Sequence, residues 1–270
     1  MIVLSVKDIR DPLVESLSKA LELNLIDSEI TIDHLIRCEQ YGRSDHGLNR
    51  FLYLISSTKF GGYGASSIPT IDCSNSGILS TDGKEYLGYP IMYNLVHQGC
   101  QIARDRSSCL LIAKSVYPSG ALLDWAHIAI QNKCGLILMT GSPARVTNPG
   151  GHHPITGTNP LCIGIPTMDT PFIADFSSGE ITHGDLLLAR VEDTLLPNNS
   201  AVNTDGKVTR DGKDVFPAHG LGAILPFGNS YKSFALSLAI ELLVSLGGNP
   251  VGGNNVGAHG VFGLILGPQL

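Results

Sequence analysis

The sequence predicts an α/β protein, and three observations carry that prediction. Ser108-Cys109-Leu110-Leu111-Ile112-Ala113 and Gly135-Leu136-Ile137-Leu138-Met139-Thr140 are short apolar runs that read as buried strands. Ala121 to Gln131 lies between them and reads as a helix, giving the order strand–helix–strand. No G-x-G-x-x-G joins a strand to a helix, and no G-x-x-x-x-G-K-[ST] occurs, so a standard Rossmann domain is not supported.

The remaining elements follow in chain order. Asp11-Pro12 reads as a helix start, with Leu13, Leu17, Ala20 and Leu21 on one face. Asp27-Ser28 opens a second helix with the stripe Ile32, Leu35 and Ile36, and Gly42 stops it. Thr58 to Ser80 reads as connection plus short strands, with Gly61-Gly62-Tyr63-Gly64 as a turn. Pro90 to Asp105 is helical by pattern, Leu161 to Pro166 is a third strand, and Gly184 to Val191 is a helix. Asp205-Gly206 is a turn, and Ser233 to Leu246 is a helix ended by Gly247-Gly248. Gly260 to Leu266 reads as a last strand.

Composition narrows the function. The chain has 270 residues, 43% hydrophobic and 16% charged, which suits a folded protein with a sizeable core. The formal charge is −6 and no long run of Lys or Arg occurs, which argues against nucleic-acid or membrane-surface partners. Any anionic ligand must therefore be held by local cations. The six cysteines are scattered without C-x-x-C spacing, and most sit in apolar segments, as expected in a reducing, cytoplasmic setting. The N-terminus lacks the pattern of a signal peptide, and no apolar stretch reaches the length of a membrane span.

The stretch with the densest chemistry is Gly42-Arg43-Ser44-Asp45-His46-Gly47-Leu48-Asn49-Arg50, just after the second helix. A titratable imidazole beside fixed positive charge can pass a proton to a substrate that the charge holds. The same residues also suit a solvated surface turn. Gly157-Thr158-Asn159-Pro160 precedes a strand and could offer amides to a ligand, or be only a turn. Pro226 to Lys232 opens the last long helix, where backbone amides and Lys232 favour an anion, or simply cap the helix. His152-His153 are expected to point apart, with no carboxylate at ligand spacing, so no metal site is expected.

Taken together, these pieces resemble the malate/L-lactate dehydrogenase family of non-Rossmann oxidoreductases. The matches are His46-Gly47-Leu48-Asn49-Arg50, Asp82-Gly83 with Leu87-Gly88, Gly157-Thr158-Asn159-Pro160, and Leu225-Pro226 through Lys232. The resemblance implies a mixed sheet flanked by helices and a homodimer acting on a small carboxylate substrate. It implies hydride transfer between NAD or NADP and C2 of a 2-hydroxy or 2-oxo acid. His46 would be the acid/base and Arg50 the carboxylate anchor. Ser44, Thr158, Asn159, Phe172, Asp175, Ser177, Tyr231 and Lys232 would contact the cofactor.

The resemblance also implies one family domain over 1–270, truncated at its C-terminal end. Within it, 1–60 is a helical part carrying His46, 61–247 a mixed-sheet cofactor-binding part, and 248–270 a Gly-rich tail with a terminal strand. Four departures stand out: Asp45 replaces the family's Ser before the histidine, Pro118 replaces a second histidine, Gly141 replaces an Asn, and Ser233 replaces a Gly. They leave open a catalytically weak relative that binds ligands or dimerises.

Overall fold

A computed structural model describes residues 5–56, 67–84, 86–217, 219–251 and 259–268. The turn expected at Gly61 to Gly64 and residues 252–258 and 269–270 of the Gly-rich tail lie outside these residues. The helices are α1 (Val6–Leu21), α2 (Leu25–Gln40), α3 (Asn49–Ser56), α4 (Gly88–Arg106), α5 (Leu122–Gln131), α6 (His183–Glu192), α7 (Gly212–Val215) and α8 (Tyr231–Ser245). The strands are β1 (Asp72–Cys73), β2 (Ile78–Asp82), β3 (Ser108–Lys114), β4 (Gly135–Thr140), β5 (Leu161–Ile165), β6 (Phe172–Phe176), β7 (Ala201–Val202), β8 (Val208–Thr209), β9 (Ala223–Ile224) and β10 (Val261–Leu266).

Seven strands form one sheet in the order β1-β2-β3-β10-β4-β5-β6, and β8-β7-β9 form a second, small one. Among the described strands of this sheet, only β2 and β3 pair in parallel; every other ladder is antiparallel, so the sheet is mixed. The strand–helix–strand unit expected from sequence is present, but its two strands are not neighbours. β10 slots between β3 and β4 and runs antiparallel to both. This is a non-local pairing that no local pattern encodes.

α4 and α5 pack on the sheet. Gly99 makes the α4 contact possible, because a Cβ there would meet Ile265 Cδ1 at 2.6 Å. The main core collects Leu35, Leu54, Met92, Leu95, Leu111, Trp125, Leu138 and Ile265, all with essentially no exposure. A separate cluster of Val146, Ile181, Leu186, Ala201, Val215 and Ile224 backs the small sheet.

Some local expectations are corrected. α1 begins at Val6, five residues before Asp11, and Pro12 lies inside it. The first turns are exposed, so solvent can satisfy the carbonyl that proline leaves without a donor. Ala20 faces solvent and Val14 takes its place in the core. The rings of His152 and His153 do not point apart; their centroids are 4.0 Å from each other. Among the described residues no cluster of His, Cys, Asp and Glu could hold a metal ion. No helix among them is long and apolar enough to cross a membrane. All six cysteines are free, and only Cys73 is exposed.

Candidate active site

The end of α2 sets the geometry of the turn that follows. Gly42 adopts φ +75°, a conformation that suits glycine. Gly42 N–H donates to Glu39 O and Arg43 N–H to Cys38 O, a paired closure of the helix end. Glu39 then reaches forward: its carboxylate accepts from Ser44 Oγ at 2.6 Å and Leu48 N at 3.1 Å. Gly47 sits close under that carboxylate, where a Cβ would lie 2.2 Å from Glu39 Oε2 and would push the side chain aside. Thus Arg43 to Leu48 is a stapled turn with a defined shape.

That shape presents His46 and Arg50 to one cavity of about 410 Å³. His46 Nδ1 lies 2.7 Å from Asp45 Oδ2, and Arg50 Nε donates to Asp45 O at 2.9 Å. Burial alone would raise the Asp45 carboxyl. Its bonds to His46 and then Arg43 overcome this and hold it well below the usual carboxylate range. With Asp45 ionised, Nδ1 carries the proton in that bond, and Nε2 is the nitrogen left to exchange protons. Arg50 has its Nε engaged, which leaves its terminal nitrogens for a ligand.

The opposite walls come from loops at the strand ends. Thr140 ends β4, Gly141, Ser142 and Arg145 follow it, and Tyr117 to Leu122 follow β3. The Asp82-Gly83 and Leu87-Gly88 pairs shape this second loop. Gly83 N donates to Lys114 O at 2.8 Å and Gly88 N to Tyr117 O at 3.0 Å. A Cβ on Gly88 would sit 2.3 Å from Pro118 O. Beneath the loop, buried His34 accepts from Ala121 N at 3.2 Å and bonds Asp124 at 2.8 Å through its other nitrogen.

The residues singled out from sequence divide into two groups. His46, Arg50, Thr158, Asp175 and Ser177 line the cavity, while Ser44, Asn159, Phe172, Tyr231 and Lys232 do not. Asn159 is fully buried and spent on structure. Its Oδ1 accepts from Ser142 N, and its Nδ2 donates to Ser237 O and Glu241 Oε2. It thereby holds Thr158 at the wall, with Thr158 Oγ1 3.3 Å from Ser142 Oγ. Asp175 accepts from Leu123 N at 3.0 Å, and burial still pushes its carboxyl above the usual range. Phe172 and Tyr231 are exposed. Phe176, which does line the cavity, meets Phe227 edge-on at 6.2 Å just before α8.

Sequence reasoning missed Arg145, His183 and His259, which also line the cavity. His259 Nδ1 is 3.1 Å from Gly141 O, and its ring packs on Tyr117 at 4.5 Å. Burial pushes His259 and His183 down to about 4. The second histidine that Pro118 displaces is therefore not matched at that place in the chain, but the cavity holds imidazoles from elsewhere. Nothing in local sequence marks them, because they arrive from the start of α6 and the approach to β10.

The cavity beside the mixed sheet thus brings together an imidazole paired with a carboxylate, a guanidinium four residues on, and hydroxyls across from them, an arrangement able to exchange a proton and to hold a small oxyanion. Residues 5–261 match the malate/L-lactate dehydrogenase family, and the chain belongs to that family. It is 29% identical over 217 residues to an L-sulfolactate dehydrogenase from Methanothermobacter thermautotrophicus, covering 80% of this chain and 62% of that one. It is 27% identical over 223 residues to a malate dehydrogenase from Pyrococcus horikoshii, covering 80% and 61%. The chain thus spans about three fifths of the length of these relatives. The crystal structure of a dehydrogenase from Sinorhizobium meliloti superposes with a TM-score of 0.88 at 27% identity, covering 99% of this chain and 80% of that one.

Proposed function

We propose that this chain is an NAD(P)-dependent oxidoreductase that moves a hydride between nicotinamide and C2 of a small 2-hydroxy or 2-oxo acid. The observation that carries the reading is His46 and Arg50 on one cavity, both bonded to Asp45. Malate and sulfolactate, named in the relatives, are acids of this kind.

The residues present fit the nicotinamide end of such a cofactor. Apolar Pro118, Leu122, Pro160 and Phe176 and the hydroxyls of Thr140, Ser142 and Thr158 line one cavity, which suits a flat amide-bearing ring. Thr158, Asp175 and Ser177 would hold that end, with Phe172, Tyr231 and Lys232 serving the parts outside. Bound nicotinamide supplies the hydride acceptor or donor.

The chain's own groups do the rest. Arg50 grips the C1 carboxylate with its free nitrogens. His46, protonated on both nitrogens, gives its Nε2 proton to the C2 oxygen during reduction and recovers it during oxidation. Asp45 keeps the ring oriented and stabilises the imidazolium. The apolar walls exclude water from the reacting carbon.

The proposal includes a homodimer in a cytoplasmic setting. Leu238, Leu242 and Leu246 leave an exposed apolar strip along and just beyond α8, which supports a protein partner there.

The test is a panel of 2-oxo acids with NADH and NADPH, followed by loss of nicotinamide absorbance. At least one acid is expected to turn over. His46→Ala should cut kcat by about 100-fold or more while cofactor affinity stays within about threefold. Equal turnover in the variant would remove His46 from the mechanism.

A further inference from the structure

Arg145 is a half-buried guanidinium on the cavity wall with no carboxylate partner among the described residues. One terminal nitrogen donates to Ala144 O at 2.8 Å, and the group lies 5.3 Å from the centre of the Phe216 ring. Burial lowers its pKa, and no anion nearby offsets this. His183 packs on the same ring, with centroids 6.0 Å apart. Its Nδ1 is buried and has no hydrogen-bond partner. A buried polar atom without a partner and a half-buried cation without an anion are both costly. Here they share one ring and one cavity.

The position of this corner is informative. His183 opens α6, whose Thr182 cap is locked by reciprocal bonds with Asp185. A Cβ on the next residue, Gly184, would lie 3.6 Å from Asp45 Cβ. The corner therefore adjoins the Asp45–His46 pair. The charges of both Arg145 and Arg50 act on His183, so the three lie in one neighbourhood.

We infer that Arg145, with His183 beside it, binds a second oxyanion at the far end of the substrate, so that the acid is a dianion spanning Arg50 and Arg145. This rests on the oxidoreductase reading above. In that pose C1 lies on Arg50, the C2 oxygen faces His46, and a terminal carboxylate or sulfonate meets the Arg145 fork. Neutral His183 lines the same corner without adding charge. A monoanionic acid of the same length leaves Arg145 unpaired, and that is the source of discrimination.

The same chemistry could instead serve a phosphate of the cofactor, and one experiment separates the two. Calorimetry with NAD+ or NADP+ present compares 2-oxobutanedioate with 2-oxobutanoate, which differ in a single carboxylate. The wild-type protein should bind the dianion at least tenfold more tightly, and equal affinity overturns the inference. Arg145→Met should erase most of that preference and leave the monoanion within about twofold. Arg145→Lys, which keeps the charge but loses the fork, should fall between. Thermal melts check that each variant folds, and the wild-type comparison stands even if neither does. Loss of cofactor affinity with the acid preference intact assigns the corner to the cofactor and overturns the inference. A protein that selects the dianion but reduces neither acid keeps this inference and sinks the oxidoreductase reading.

Discussion

Asp45 touches three groups that matter: His46 through its carboxylate, Arg43 through the other carboxylate oxygen, and Arg50 through its backbone oxygen. A serine, which the family pattern has at this place, could accept a hydrogen bond but could not supply a charge to an imidazolium. In the proposed mechanism the departure therefore adds a charge that favours the imidazolium. Asp45→Asn keeps the shape and removes the charge. An amide can donate to Nδ1, which stabilises the wrong tautomer. The variant should lose about 100-fold in kcat, with KM for the acid within about threefold. Steady-state kinetics with the best acid checks it, and an unchanged kcat would show that the charge is dispensable. His46 and Arg50 are legible in sequence because one short turn carries both. Arg145, His183 and His259 are not, since each is an ordinary loop or helix-end residue until the chain folds. Asn159 misleads for a related reason: its motif looks like a ligand loop, yet its amide is consumed by α8 and Ser142.

At the scale of elements, two helix-end turns and two close backbone approaches position the chemistry. The closure of α2 was readable from Gly42, whose left-handed conformation has no packing constraint because a Cβ there meets nothing within 4 Å. Gly88 is the opposite case: its backbone angle is ordinary, but Pro118 O stands in the way. Backbone cannot step aside as a side chain can. Gly88→Ala should therefore destabilise by about 2–3 kcal/mol, and Gly42→Ala by about 1 kcal/mol. Thermal melts should fall by roughly 4–12 °C and 2–4 °C respectively. A Gly88→Ala protein as stable as wild type would show that the loop relaxes freely. β3, β4 and β5 were legible as apolar runs. β6 was not, because its burial does not alternate and Asp175 interrupts it. The placement of β10 was not legible either, because two-sided pairing in a sheet is decided by contacts more than a hundred residues apart.

At the scale of the whole molecule, three imidazoles are held in places that disfavour their charged form: His34 under the loop, and His183 and His259 at the cavity. Each has a lowered pKa when folded, chiefly through burial, while the unfolded chain titrates in the usual range near 6.5. Between about 4 and 6.5 the unfolded state therefore binds more protons. Stability is fully present above that window and is lost as pH falls through it. The paired carboxylates act elsewhere: Asp45 and Asp124 are depressed when folded, so their contribution disappears only below the ordinary carboxylate range. The two windows separate at pH 5, where the imidazoles have acted and the carboxylates have not. His183 and His259 should each remove about 2 kcal/mol there relative to pH 7.5. Guanidinium unfolding at the two pH values measures this. His183→Asn should flatten the difference by about half of the pair's share, because the group it removes no longer takes a proton on unfolding. A wild-type protein equally stable at pH 7.5 and 5 would mean that these imidazoles are not held neutral by burial. The cavity would then offer water where the proposed chemistry requires its exclusion.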